Sequence, residues 1–109
     1  MAISWKDFEK VDMRVGTILK AELANTKKPA YKLEIDFGEL GIKKSSAQLT
    51  KLYKAEELIG KQIIAVVNFP PKQIADFLSE VLVLGVVQDN NEVILLQPER
   101  KAINGRRVA

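Results

Sequence analysis

The stretch Asp7-Phe8-Glu9-Lys10-Val11-Asp12-Met13-Arg14-Val15-Gly16-Thr17-Ile18 decides how the rest of the chain is read. Carboxylates, an aromatic ring and cations crowd against a short apolar run, which is more than a strand needs in order to pair. Asp12 and Arg14 are two apart, hence on the same side of an extended strand, where a carboxylate and a guanidinium can fix the entrance of a barrel. Gly16 permits close backbone approach at a bend. On this reading the segment builds the fold and touches no ligand.

Working outward, Ser4 to Lys10 is a short amphipathic start in which Ser4 can cap and Trp5 and Phe8 sit three apart. From Met13 the period is two, placing Met13, Val15, Thr17 and Leu19 on one face of a first strand. Asn25 to Pro29 reads as a turn. Tyr31, Leu33, Ile35 and Phe37 then alternate with Lys32, Glu34 and Asp36, the clearest half-buried strand in the chain, ended by a turn from Gly38 to Gly41. A third strand, Ile42 to Gln48, is rich in Lys and Ser, so one face is expected to be wet. Lys54 to Ile59 is a helical turn stopped by Gly60. Ile63 to Phe69 and Val81 to Val87 are apolar on both faces, the pattern of strands inside a barrel or under another subunit. Pro70 and Pro71 break the chain after the first of these, and Asp89-Asn90-Asn91 turns into Val93 to Leu96. The tail from Pro98 to Ala109 is basic and less regular.

Five to six short strands and one brief helix, with no long crossover helices, argue for an all-β barrel. The order strand 3, helix, strand 4 is the arrangement of a five-stranded OB-fold.

Length and composition bound the function. A chain of 109 residues with 47% apolar content closes one core, so a single domain over 1–109 is expected. It contains no cysteine and no histidine, which excludes disulfides, Cys/His zinc sites, thiol nucleophiles and histidine acid/base chemistry. The amino terminus is too acidic and too poor in apolar residues for a signal peptide, and no apolar run approaches the ~18 residues of a membrane span. A cytoplasmic protein without membrane insertion is expected. The net charge of +3 is concentrated centrally: residues 41–72 carry six lysines against Glu56 and Glu57, or 6 − 2 = +4.

Asp7-Phe8, Lys10-Val11-Asp12, Arg14-Val15-Gly16, Leu33-x-Ile35-Asp36-x-Gly38, Tyr53-x-x-Glu56-Glu57-Leu58-Ile59-Gly60-Lys61, Asn68 and Ser79 stand in an order that resembles the tRNA-binding-domain family. This is the OB-fold of some methionyl-tRNA synthetase C-termini and EMAP-II-like proteins. The segment Asn68 to Ala75 followed by Ser79 to Gly85 is similar, more narrowly, to the stand-alone branch described as chaperones of protein export. The resemblance implies a barrel core over about 7–88, a C-terminal extension over about 89–109, and a symmetric homodimer built from the terminal extensions. Trp5, Phe8, Ile103 and Val108 are the apolar residues there that would need cover.

OB-folds bind extended ligands across strands 2 and 3 and neighbouring loops. The candidate binding residues are therefore Lys43, Lys44, Ser45, Ser46, Lys51, Lys54, Asn68, Lys72, Ser79 and Glu80. Lysines would meet phosphates; Ser and Asn would hydrogen-bond sugar, base edge or peptide backbone. Where RNA-binding relatives tend to carry two cations and a glycine, this chain has Gln73, Ala75 and Asp76, which weakens the expected affinity for tRNA. Tyr31, Phe37, Tyr53, Phe69 and Phe77 mostly fall at core-like positions, leaving no evident stacking platform. Arg100, Lys101, Arg106 and Arg107 offer a second RNA contact or a merely solvated tail. The leading expectation is a chaperone that binds unfolded or preprotein segments, linked to export; the alternative is tRNA binding through the basic face. No catalytic residue, metal or cofactor is expected, because no converging carboxylate pair or phosphate-binding glycine loop occurs.

Overall fold

The computed structural model describes residues 1–24 and 27–109, so the turn expected at Asn25 to Pro29 lies partly outside the described residues. After a short helix α1 (Trp5–Glu9) come β1 (Met13–Ala24), β2 (Ala30–Asp36) and β3 (Ile42–Ala47), then helix α2 (Ala55–Leu58) and β4 (Gln62–Val66). Five short strands follow: β5 (Lys72–Ile74), β6 (Phe77–Ser79), β7 (Leu82–Val83), β8 (Gly85–Val87) and β9 (Val93–Leu95). The main sheet is antiparallel in the order β3-β2-β1-β4-β7, curled as in an OB-fold, with α2 between β3 and β4 as expected.

Local chemistry accounts for the elements. Ser4 Oγ accepts from Asp7 N and the Asp7 carboxylate accepts from Ser4 N, a reciprocal cap on α1. Glu57 accepts from Lys54 N at 2.8 Å to start α2, and Gly60 leaves it at φ 87°, a left-handed turn that glycine takes at little steric cost. The core is carried by Ile18, Leu33, Ile35, Phe37, Leu58 and Ile63, all fully buried. Each contributes roughly 1.5–3 kcal/mol by leaving water.

The first strand departs from simple alternation. Its pairing with β2 shifts between Ile18 and Lys20, so Leu19 occupies a bulge and stands exposed instead of sharing an inner face with Met13, Val15 and Thr17. Gly16 and Ile18 enter the core instead. A Cβ on Gly16 would lie 2.6 Å from Ile35 Cγ2 and 2.7 Å from Phe37 Cε1, so the residue must be glycine for those side chains to fill the barrel. Val81 to Val87 is not one internal strand either: Val81 is buried, the ladder changes partner at Leu84, and Val86 and Val87 are exposed. The segment after Pro71 forms a hairpin, β5–β6, closed by the two-residue loop Ala75-Asp76 with Ala75 at φ 54°.

The tail is more regular than its sequence suggests. Val15 N donates to Arg106 O, Gly105 N to Val15 O and Val108 N to Met13 O, so residues 105–108 pair along the edge of β1 that β2 leaves open. Arg107 Nη2 donates to Glu9 O at 2.8 Å and ties the end of α1 to this edge.

Candidate ligand-binding surfaces

The barrel closes between β3 and the β6–β7 segment, and this seam uses several residues expected to meet a ligand. Lys44 O accepts from Glu80 N at 2.8 Å and Val81 N at 3.3 Å. Glu80 Oε1 accepts from Lys44 N at 3.0 Å, and Ser79 Oγ accepts from Ser46 N at 3.0 Å. Side-chain oxygens thus stand where a neighbouring strand's carbonyls would, covering the free edge of β3. Ser45 is fully buried and donates its hydroxyl to Val81 O at 2.9 Å. It faces the interior, not a groove, because strand alternation points it inward.

The same alternation separates Lys43 from Lys44. Lys43 shares the parity of buried Ser45, whereas Lys44 is exposed on the outer face with Nζ 5.9 Å from the Phe77 ring centroid. One ligand on one face therefore cannot use both. Lys32 lies over the same ring at 5.6 Å and pairs with Asp76 at 3.5 Å; Lys20 pairs with Glu34 at 3.9 Å. The outer face of β1–β3 is thus electrically self-cancelling. Asp76, one of the departures flagged in the sequence, supplies part of that cancellation.

Asn68 belongs to the scaffold. It accepts from Asp12 N at 3.0 Å and donates to Lys10 O at 2.7 Å, anchoring the chain between α1 and β1. Asp12 in turn receives Arg14 Nε at 2.6 Å, and this hydrogen bond holds the Asp12 carboxyl below the usual carboxylate value while raising the Arg14 guanidinium further. Lys54 is exposed at the start of α2.

Beside the seam is an apolar cleft of about 400 Å³, lined by Phe69, Pro70, Ile74, Val81 and Leu82, with Ser46, Ser79, Lys72 and Glu80 at its margins. Phe69 is 53% exposed and Leu82 49% exposed. Phe69 therefore does not sit at the core-like position expected of it. The available signal was Phe69-Pro70-Pro71: two prolines cannot continue a central strand, so the preceding aromatic is carried out of the sheet. Of the expected residues, Ser46, Lys72, Ser79 and Glu80 gather here, while Lys51 lines a separate cleft at one end of the barrel.

A groove of about 740 Å³ separates the tail from β1 and β4 and is lined in part by Arg100 and Lys101. Its wall is structural in part: Gln62 exchanges hydrogen bonds with the Ala102 backbone, and Asn104 Oδ1 accepts from Thr17 and Gln62. Of the residues expected at a dimer surface, Trp5 is 83% exposed and Ile103, which lines this groove, 66%, whereas Phe8 and Val108 are half-buried by their own chain. No helix among the described residues is long and apolar enough to cross a membrane.

Comparison with known proteins places these surfaces in context. The family model described as "Putative tRNA binding domain" matches residues 13–107, a span that includes the tail strand on β1. Chaperone CsaA from Bacillus anthracis is 53% identical with a TM-score of 0.96, each chain covering 100% of the other. The CsaA chaperone protein from Picrophilus torridus is 53% identical with a TM-score of 0.91, covering 99% of this chain and 100% of its own. A methionine–tRNA ligase of Methanococcoides burtonii is 37% identical over 94% of this chain, which spans only 15% of the ligase.

Proposed function

The chain belongs to the tRNA-binding-domain family, and from that premise we propose that it is a non-catalytic chaperone of the CsaA kind, holding unfolded or preprotein segments in the cytoplasm in support of export. The observation that carries this reading is the cleft of Phe69, Ile74 and Leu82: large apolar side chains left in water beside hydroxyl groups, which suits an extended peptide whose side chains are apolar and whose backbone needs partners. Lys72 and Glu80 at its margin oppose each other in charge, so the cleft selects by apolar contact more than by net charge. Trp5 and Ile103, both exposed, together with Phe8 and Val108, are the residues proposed for a homodimer surface. No metal, cofactor or membrane insertion enters the scheme.

A second reading, recognition of tRNA, is supported by the family match over residues 13–107 and by the ligase relatives. One titration separates the two: purified protein with a preprotein signal-region peptide and with total tRNA, each at two salt concentrations. Peptide binding that varies little with salt and falls at least tenfold in Phe69→Ser with Leu82→Ser supports the chaperone. Sub-micromolar tRNA binding near physiological salt, with no peptide binding, sinks it. Light scattering of the wild type and of Trp5→Ser tests the dimer; a wild-type monomer removes it.

A further inference from the structure

We propose that Asn104 is a site of spontaneous covalent modification: a latent deamidation site that the tail's pairing on β1 holds shut, and whose reaction makes release of the tail irreversible. The chain has five asparagines, and only Asn104 is followed by glycine. That neighbour matters because glycine has no Cβ to keep its backbone nitrogen away from the preceding side-chain carbonyl. In the reaction Gly105 N gives up its proton and attacks Asn104 Cγ; the Cγ–Nδ2 bond breaks and ammonia leaves, closing a succinimide ring. Water then opens the ring. Attack at Cγ leaves aspartate, and attack at the backbone carbonyl leaves isoaspartate, in which the chain runs through Cγ and is one methylene longer. Nothing is oxidised or reduced, and water is the only co-reactant.

In the fold both reacting groups are engaged elsewhere. Residues 103–106 form a turn closed by Arg106 N donating to Ile103 O at 3.2 Å, with Gly105 at φ 90°. Gly105 N, the nucleophile, donates to Val15 O at 2.7 Å. Asn104 Oδ1 accepts from Thr17 Oγ1 at 2.8 Å and from Gln62 Nε2 at 3.1 Å, which keeps the side chain against the barrel wall. The peptide between them is wedged as well: a Cβ on Gly38 would lie 2.5 Å from Asn104 O, and one on Gly105 would strike Phe37 O. Ring closure therefore requires the tail to leave β1 first, so the rate of deamidation reports the population of the open tail.

The two products differ in whether they can return. Thr17 and Gln62 both bond the side-chain oxygen of residue 104, so aspartate offers them the same acceptor. Isoaspartate inserts a methylene between Ala102, held by Gln62, and Val108, held by Met13, and shifts the tail out of register with β1. A tail that opens often is thereby left open, with that edge of β1 uncovered.

The test holds full-length protein in mildly alkaline buffer, native and in urea, and follows residue 104 by mass spectrometry, with fragmentation separating isoaspartate from aspartate. The three backbone bonds to β1 should set the native rate roughly a hundredfold below the unfolded rate. Val108→Pro cannot donate to Met13 O, and Arg107→Ala loses the contact to Glu9 O without touching the ladder; each should raise the native rate roughly fivefold, with circular dichroism checking the fold. Molecules carrying isoaspartate should exchange the Val108 amide with deuterium faster than Asn104→Asp does. A native rate within about twofold of the unfolded rate overturns the latch, and an Asn104 that stays intact in urea overturns the site. Equal native rates in wild type and both variants, while deuterium exchange shows the variant tails opening, remove the tail as the controlling element.

Discussion

Arg14 grips both oxygens of Asp12, Nε to Oδ1 at 2.6 Å and Nη2 to Oδ2 at 3.2 Å, while Nη1 donates to Gly105 O at 3.0 Å. One guanidinium thus joins the barrel entrance to the tail. Because the pair depresses the Asp12 carboxyl below its ordinary value of 3.8, its stabilisation is full above that pH and is lost as pH falls through the lower folded value. Asp12→Asn is expected to lose about 1 kcal/mol at pH 7, a figure reduced for partial exposure. Urea melts should show the gap between wild type and variant shrinking below pH 3.8 and not between pH 5 and 8.

Gly16→Ala tests the entrance from the inside. The added methyl meets Ile35 and Phe37 within 2.8 Å, both fully buried, so overpacking costs about 1–3 kcal/mol. A midpoint lowered in urea with an unchanged m-value is the expected result.

The β5–β6 loop contains the opposite opportunity. Ala75 holds φ 54°, which costs a side-chain-bearing residue roughly 1–2 kcal/mol, while glycine gives back about 0.4–1 kcal/mol through the unfolded chain. Ala75→Gly should therefore stabilise by about 0.5 kcal/mol, read as a melting temperature higher by roughly 3 °C.

These positions also show what the sequence could and could not reveal. The first four strands and α2 are legible because alternation, Gly38, Gly41 and Gly60 punctuate them locally. The β5–β6 hairpin is not, because its left-handed position is filled by Ala75, which carries no turn signal. Ser45, Ser79 and Glu80 read as ligand contacts because polar residues near a strand usually face water. In the fold they also hold partners 33 to 36 residues away, and nothing local encodes that pairing. Lys43 and Lys44 are adjacent in sequence but opposed in space, which period two already implies.

The seam itself makes a measurable claim. With Ser79→Ala, Ser46 N loses its acceptor, and its amide should exchange with deuterium faster while Lys44 N, held by Glu80, stays protected. Ser45→Ala removes a buried hydrogen bond and should cost about 1 kcal/mol.

Removing residues 105–109 strips three backbone hydrogen bonds from β1 as well as the Arg107 contact to Glu9 O. At about 1 kcal/mol for each backbone bond, a loss near 3 kcal/mol is expected by denaturant titration.

That tail pairing has a consequence for how such a domain is used. Val108 N meets Met13 O, so the strand that enters the barrel and the strand that leaves it run side by side. A fold whose entrance and exit coincide can be spliced onto a larger polypeptide at a single junction, leaving its clefts unobstructed.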